Sequence, residues 1–337
     1  MIHVGLIGFG YWGPNLARNF SSKSGCELQV ICEKDPEKAE HARGLYPAAR
    51  VVESTEALWD DAELNLVAIA TPVGTHYPLA RRALEAGKDV FLEKPVTETA
   101  EQAEELMALA EEQGRILAVD HTFLFTGAVR KIRELIDSRD LGDIRYFDAV
   151  RVNLGLFQSD VNVMTDLGPH DLSILEYLFR ESPESCRAVG SRLAGTDFED
   201  VVYLHLTYAD GKIAHFHWNW LAPVKIRKTL ICGSKKMIVY DDLERSEKIK
   251  VYDKGVEIIE NRESRDRLLV DYRIGDMVAP KLLHGEALSL EVEELVQHLE
   301  NRTQPESDGR MGLRVLRILE AARESMQNGG REVAIPR

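Results

Sequence analysis

The first third of the chain alternates between two hydrophobic rhythms. Short, nearly continuous apolar runs stand at Val4–Ile7, Leu28–Cys32, Arg50–Val52, Leu66–Ala70, Val90–Leu92 and Ile116–Val119. Leu66-Val67-Ala68-Ile69-Ala70 contains no polar residue, as expected of a strand buried on both faces. Between these runs lie segments with helical spacing at Asn15–Ser22, Pro36–Leu45, Thr75–Ala86 and Thr99–Gln113. Gly87 and Gly114 stop the last two. This strand–helix alternation predicts an α/β domain over residues 1–121, a doubly wound parallel sheet with helices on both faces.

After about residue 121 the rhythm changes. A helix near Ala128–Ser138 leads into strand composition at Ile144–Val150, and Val163–Phe179 reads as a second helix. Strands then follow at Cys186–Ser191, Val201–Tyr208, Ile213–Trp220, Lys228–Cys232, Lys236–Tyr240 and Lys248–Tyr252. Tight turns such as Ala209-Asp210-Gly211 join them, which predicts a mostly antiparallel sheet. Residues 258–285 read as polar and irregular, and helices at Glu286–Asn301 and Gly309–Gln327 close the chain. The expected second domain is therefore an α+β domain over 122–337 with a large, open sheet. There is no internal repeat and no low-complexity tract.

Candidate chemistry begins at the first strand–helix turn. Gly8-Phe9-Gly10-Tyr11-Trp12-Gly13 is a GxGxxG that directly follows a strand and opens a helix. In that context the first glycine allows the tight turn and the second lets a pyrophosphate approach the backbone. The third allows close helix–strand packing, and free amides at the helix start attract the anion. This is the Rossmann dinucleotide fingerprint, and it makes all six residues candidate cofactor contacts. Glu33, after the second strand, stands where a carboxylate receives the adenosine ribose hydroxyls and repels a 2′-phosphate, which favours NAD over NADP. Lys34 follows at once and softens that rejection. Thr71, Pro72 and His76 follow the fourth strand, and Glu93, Lys94 and Pro95 follow the fifth. Both groups stand at carboxyl ends of parallel strands, where such sheets bind ligands.

Taken together with Asp166-Leu167-Gly168-Pro169-His170, these segments resemble the Gfo/Idh/MocA oxidoreductases, a family named for glucose–fructose oxidoreductase and inositol dehydrogenase. The resemblance runs over most of the chain, and its last segment looks like the family's DxGxH. It implies a Rossmann domain followed by an α+β domain whose open sheet mediates oligomerisation, as a homodimer or homotetramer. It also implies that Lys94 sits by the reacting carbon, with Glu93 and Pro95 shaping the nicotinamide end, and that Asp166 and His170 complete the catalytic group. One departure is Asp160-Val161-Asn162-Val163-Met164, where many members carry a glycine run. Within the family the chain most resembles the sugar-nucleotide branch, 3-dehydrogenases of UDP-N-acetylglucosamine or its uronic acid. That likeness rests on Gly10–Asn15, Asn153-Leu154-Gly155 and Gly233–Met237. Arg151, Asn153 and Lys225 are candidate substrate contacts, or residues of an exposed strand face.

The residue types suit alcohol oxidation. A base must take the hydroxyl proton while hydride leaves, and histidine titrates in the right range. Asp166, four residues earlier, can share a helix face with His170 and orient its ring. Pro169 is awkward inside a helix, which predicts a helix start close to Asp166. Lys94 can polarise the oxygen, and whether lysine or histidine is the base stays open. The competing readings are an inositol or free-sugar dehydrogenase of the same family and a non-catalytic NAD(H)-binding redox sensor.

Composition narrows the partners. The chain has 337 residues, with 42 Lys and Arg against 56 Asp and Glu, a net charge of −14. That balance disfavours nucleic acid and anionic membranes as partners. No apolar run approaches the ~20 residues of a membrane span. The amino-terminal residues enter a strand with no basic stretch before it, so a cytoplasmic protein without a signal peptide is expected. Cys26, Cys32, Cys186 and Cys232 are scattered, form no CxxC and read as free thiols, with no metal site expected. His215, His217, Trp218 and Trp220 form a polar–aromatic strand, read as sheet or subunit-interface residues.

Overall fold

In a computed structural model, which describes residues 1–155, 157, 161–259 and 269–336, the chain forms two compact units. The first comprises Met1–Thr126 and Gly285–Glu320, the second Gly127–His284 and Ala321–Arg337.

The first unit is built on six strands, β1 (Ile2–Ile7), β2 (Cys26–Cys32), β3 (Arg50–Val52), β4 (Leu66–Ile69), β5 (Asp89–Glu93) and β6 (Leu117–Asp120). Their order is β3-β2-β1-β4-β5-β6, every pair parallel. The direction of winding reverses between β1 and β4, the switch point at which doubly wound sheets bind ligands. All four residues of β4 are buried, as its unbroken apolar run requires. The connecting helices are α1 (Gly13–Ser22), α2 (Pro36–Leu45), α3 (Glu56–Trp59), α4 (His76–Glu85) and α5 (Ala100–Glu112). Asp35 caps α2 by accepting the Glu37 and Lys38 amides at 3.0 and 3.2 Å, and Thr99 caps α5 through the Gln102 amide. Gly87 and Gly114 end α4 and α5 with φ of +72° and +61°, a conformation other residues rarely adopt.

The second unit starts with α6 (Gly127–Asp137), β7 (Ile144–Leu154) and α7 (Val163–Phe179). β8 (Ser185–Ser191), β9 (Val201–Thr207), β10 (Ile213–Asn219), β11 (Leu221–Gly233) and β12 (Met237–Asp241) follow. β13 (Ile249–Ile259), β14 (Leu269–Val278) and β15 (Val333–Ala334) complete a nine-stranded sheet ordered β14-β13-β12-β11-β7-β10-β9-β8-β15. β7 and β10 pair parallel and the other described pairs are antiparallel. α7 packs on β7, β9 and β10. Alternate residues are buried on that side, Phe147, Ala149, Val202, Leu204, Ala214, Phe216 and Trp218 among them. The intervening residues, such as Asp148, Tyr203, His205, His215 and His217, occupy the other face.

Two expectations are corrected. The closing helices α8 (Ala287–Asn301) and α9 (Gly309–Gln327) do not simply join the second domain. Leu288, Val292, Leu295, Val296 and Leu299 of α8 are buried in one core with Leu16, Phe20 and Phe91. Arg18–Glu286 and Lys23–Glu293 ion pairs flank that contact. The first unit therefore takes the chain through Glu320. The 258–285 region contains a strand, β14. It is the sheet's edge, where one flank is unpaired and the apolar alternation that marks inner strands is weak. Residues 260–268 of that region lie outside the described residues. α7 has the Val163–Phe179 bounds that the sequence pattern predicts, starting three residues before Asp166, with Asn162 capping the Thr165 amide at 2.9 Å. Pro169 sits inside the helix and leaves the Thr165 carbonyl without its amide. A proline there costs about 3 kcal/mol. Burial of Leu172, Ile174, Leu175 and Leu178 offsets it at roughly 1.5–3 kcal/mol each.

Candidate active site

The loop from Gly8 to Gly13 leaves β1 beside the switch point. Gly8 has φ of +95°, and a Cβ there would stand 2.6 Å from the Ala70 carbonyl oxygen. A Cβ on Gly13 would meet the Gly8 oxygen at 2.2 Å. At Gly10 nothing lies within 4 Å, so an open space faces the loop. α1 has no side-chain cap on its first turn, which leaves its amides for an anion. These features fit a dinucleotide pyrophosphate. Glu33 locks the loop, its Oε2 accepting the Phe9 amide at 2.6 Å and its Oε1 the Asp35 amide at 2.9 Å. Phe9 is buried and packs on the His41 and Tyr46 rings, so it offers a ligand only its backbone, while Tyr11 is 94% exposed. Trp12 donates its indole N–H to Asp120 at 2.5 Å, tying the loop to the end of β6.

The ends of β4 and β5 are joined by His76. Its ring is buried, with Nδ1 2.9 Å from the Pro95 carbonyl and Nε2 2.8 Å from the Thr71 carbonyl. Burial pushes its pKa down, partly opposed by those carbonyls. His76 thus acts on a ligand through the segments it pins, the Thr71-Pro72 turn and the Lys94-Pro95 peptide, which is cis. The Glu93 carboxylate accepts the Lys94 amide, fixing the start of that turn.

Sequence reasoning missed a buried polar group next to these turns. Asp120 accepts from Trp12 and Thr122, and Glu291 on α8 accepts the His121 amide at 3.1 Å. Burial raises both carboxyls, and the Asp120 charge pushes Glu291 further, well above the ordinary range. His121 is buried with neither ring nitrogen hydrogen-bonded. Burial and the charges of Lys94 and Arg314 bring its pKa down to about 3, so the ring is neutral. A signal was present: Glu291 interrupts the apolar stripe Leu288, Val292, Leu295.

In the second unit Asp166 and His170 lie one turn apart on α7, both half-buried. Asn153 on β7 is half-buried and Lys225 on β11 is exposed. Arg151 is a correction. It is neither exposed nor directed at a ligand. Its side chain is buried, with Nε and Nη2 bonded to Asp171 at 3.0 and 2.6 Å, and the Trp218 indole completes the group at 2.8 Å. It anchors α7 on the sheet. Asp160, in the segment that departs from the glycine run, lies outside the described residues.

Trp218 and Trp220 are core residues, whereas His215 and His217 belong to the opposite face, where Tyr203 stacks on His217 at 4.3 Å. Among the described residues no group of three His, Cys, Asp or Glu side chains is placed to hold a metal ion. No helix among them is long and apolar enough to cross a membrane. The four cysteines are free, and burial raises Cys26 and Cys32 to about 11.

Residues 2–121 match the model of an oxidoreductase family with an NAD-binding Rossmann fold, and residues 129–239 match the Gfo/Idh/MocA C-terminal domain. The chain belongs to the Gfo/Idh/MocA oxidoreductase family. An oxidoreductase of Escherichia coli K12, YdgJ, is 30% identical over 73% of this chain and 73% of its own length. UDP-N-acetylglucosamine 3-dehydrogenase of Acidithiobacillus ferrooxidans is 28% identical over 94% of this chain and 95% of that one. The solved structure of that enzyme superposes with a TM-score of 0.82 at 26% identity, covering 98% of this chain and all of the other. Levoglucosan dehydrogenase in complex with NADH and levoglucosan shares the fold, with a TM-score of 0.84, 21% identity and full coverage of both chains. This family member is an NAD-dependent dehydrogenase acting on CH–OH groups.

Proposed function

We propose that the protein oxidises a secondary hydroxyl of a sugar nucleotide, C3 of a UDP-N-acetylhexosamine or its uronic acid. The observation that carries this reading is the match to UDP-N-acetylglucosamine 3-dehydrogenase over nearly the whole of both chains. NAD supplies the hydride acceptor. The loop Gly8–Gly13 holds the pyrophosphate, and Glu33 receives the ribose hydroxyls. Thr71, Pro72, Glu93 and Pro95 shape the nicotinamide end, with His76 fixing both turns. Lys94 hydrogen-bonds the substrate oxygen and favours its deprotonated form. His170 takes the hydroxyl proton, and Asp166, one helical turn away, orients its ring. Asn153 and Lys225 contact the substrate, Lys225 supplying a cation for the diphosphate.

A second reading within the family, an inositol dehydrogenase, is favoured by a scyllo-inositol 2-dehydrogenase of Bacillus subtilis, 30% identical over 63% of this chain and 61% of its own length. NADH formation with UDP-N-acetylglucosamine, its uronic acid, scyllo-inositol and free hexoses separates the two. Turnover confined to the UDP-sugars supports the proposal, and turnover confined to inositol replaces it.

The partner of the nine-stranded sheet is a second copy of this chain, as a dimer or tetramer. Val189, Tyr203 and Ile213 are 55%, 40% and 41% exposed on the face opposite α7, and apolar side chains on an open sheet face favour association. Light scattering should return a multiple of 38.0 kDa. A monomer mass at micromolar protein would remove this assembly.

A further inference from the structure

The cofactor loops stand at the carboxyl ends of the parallel strands. At the opposite, amino-terminal ends of β1, β4 and β5 lies a cavity of about 660 Å³. Its polar wall includes Asn65, Lys88, Asp89, Arg115, Glu300 and Arg302, all within the first unit.

The charges on this wall do not cancel. Asp89 is buried and already committed. It receives two bonds from Arg302, at 2.7 and 3.1 Å, and the Ile116 amide at 2.8 Å. Arg302 spends a further N–H on the Gly114 carbonyl. Lys88 is 5% exposed, yet its ammonium donates only to a backbone carbonyl, that of Asp61. The Asp61 carboxylate is engaged by Arg50 at 2.8 Å. Among the described residues the Arg115 guanidinium makes no hydrogen bond or ion pair, and its Nε is buried without a partner. Burial is the main penalty on the Lys88 charge, the attraction of Asp61 opposes it in part, and Arg115 adds repulsion. Glu300 is 47% exposed and lies 4.0 Å from the chain's amino-terminal nitrogen. The Asn65 carboxamide oxygen accepts the His3 amide, which leaves its N–H₂ as a further donor.

A buried ammonium and an unpartnered guanidinium around one cavity are costly unless an anion joins them. The planar fork of arginine and the point charge of lysine both suit a tetrahedral oxyanion. A neighbouring cleft of about 530 Å³ shares Arg115 and Arg302 but is walled by Glu104, Glu111 and Asp308, which repel an anion.

We propose that the cavity at the amino-terminal edge of the parallel sheet binds a phosphate-type oxyanion through Lys88 and Arg115, either free phosphate or the phosphate of a mononucleotide. The site is distinct from the Gly8–Gly13 loop, at the other end of the same strands.

The test is calorimetric titration of the full chain, saturated with NADH so that the glycine loop is filled, with inorganic phosphate and separately with adenosine monophosphate. Arg115→Gln and Lys88→Gln should each weaken binding by about ten- to hundredfold, the value of a hydrogen bond to a charged group. Arg310→Gln, in the acidic cleft, should leave it unchanged. Arg115 is only half-buried, so its variant keeps the readout if Lys88→Gln fails to fold. Tighter binding of the nucleotide assigns the source as a nucleotide, and equal binding assigns free phosphate. Absence of binding to the wild type, or equal binding by wild type and Arg115→Gln, would overturn the proposal.

Discussion

The two sheets solve the same problem, burying apolar side chains, in opposite ways. β4 of the six-stranded sheet is buried along its whole length, so its faces carry no chemistry. What the sheet offers a ligand is its ends, where glycine turns and backbone amides lie open. The nine-stranded sheet buries alternate residues under α7 and places Tyr203, His205, His215 and His217 on the other face. Its surface is a side-chain surface, suited to substrate or a second chain. The cofactor fingerprint therefore stands at strand ends in the first unit, and the proposed substrate and assembly contacts stand on faces and helix turns in the second.

The largest expected effect tests whether the two kinds of surface divide the work. Lys94→Ala and His170→Ala should each lower turnover by ~10²–10⁴-fold while NAD titrations stay at wild-type affinity. Asp166→Asn should cost less, because it orients the ring and transfers no proton. Near wild-type turnover in both alanine variants would revive the redox-sensor reading.

Next is the Arg151–Asp171–Trp218 group, assigned here to packing. Asp171→Ala leaves a buried guanidinium uncompensated and should destabilise the protein by about 3–5 kcal/mol, read by urea unfolding. An unfolding midpoint equal to wild type would contradict the structural role.

Glu33 probes the strand-end chemistry. Glu33→Ala should narrow the NAD over NADP preference by roughly ten- to hundredfold, as loss of charged hydrogen bonds does. Tighter wild-type binding of NADP than of NAD would refute the assignment of Glu33.

The smallest effect concerns Glu291. A carboxyl whose folded pKa lies above its unfolded value of about 4.3 holds its proton more tightly when folded. Its support of stability is present at low pH and declines as pH rises through the folded pKa. Glu291→Gln mimics the protonated form. It should flatten the loss of stability as pH rises above the unfolded value, with Asp120 retaining a contribution in the same direction. Unchanged slopes in urea unfolding would place the proton elsewhere.

Much of this contrast is legible in the sequence, because it is local. The unbroken run Leu66–Ile69, the glycine turn and the four-residue spacing of Asp166 and His170 depend on neighbours only. What is not legible depends on distant partners. Arg151 looks like an exposed strand residue until the packing of α7 on the sheet sets it against Asp171, twenty positions away. The place of α8 is decided by Phe20 and Leu16, far along the chain, and β14 lacks the alternation that two-sided pairing imposes. Glu291 was readable as an anomaly, an acid on an apolar stripe, but not its partners.

The most direct test of the central claim is turnover of UDP-N-acetylglucosamine deuterated at C3, with product and cofactor analysed by mass. The account predicts a 3-oxo sugar nucleotide, deuterium in the reduced nicotinamide, and loss of both in His170→Ala. Reduced cofactor without deuterium would place the oxidation at another carbon, and no reduced cofactor with any UDP-sugar would contradict the assignment.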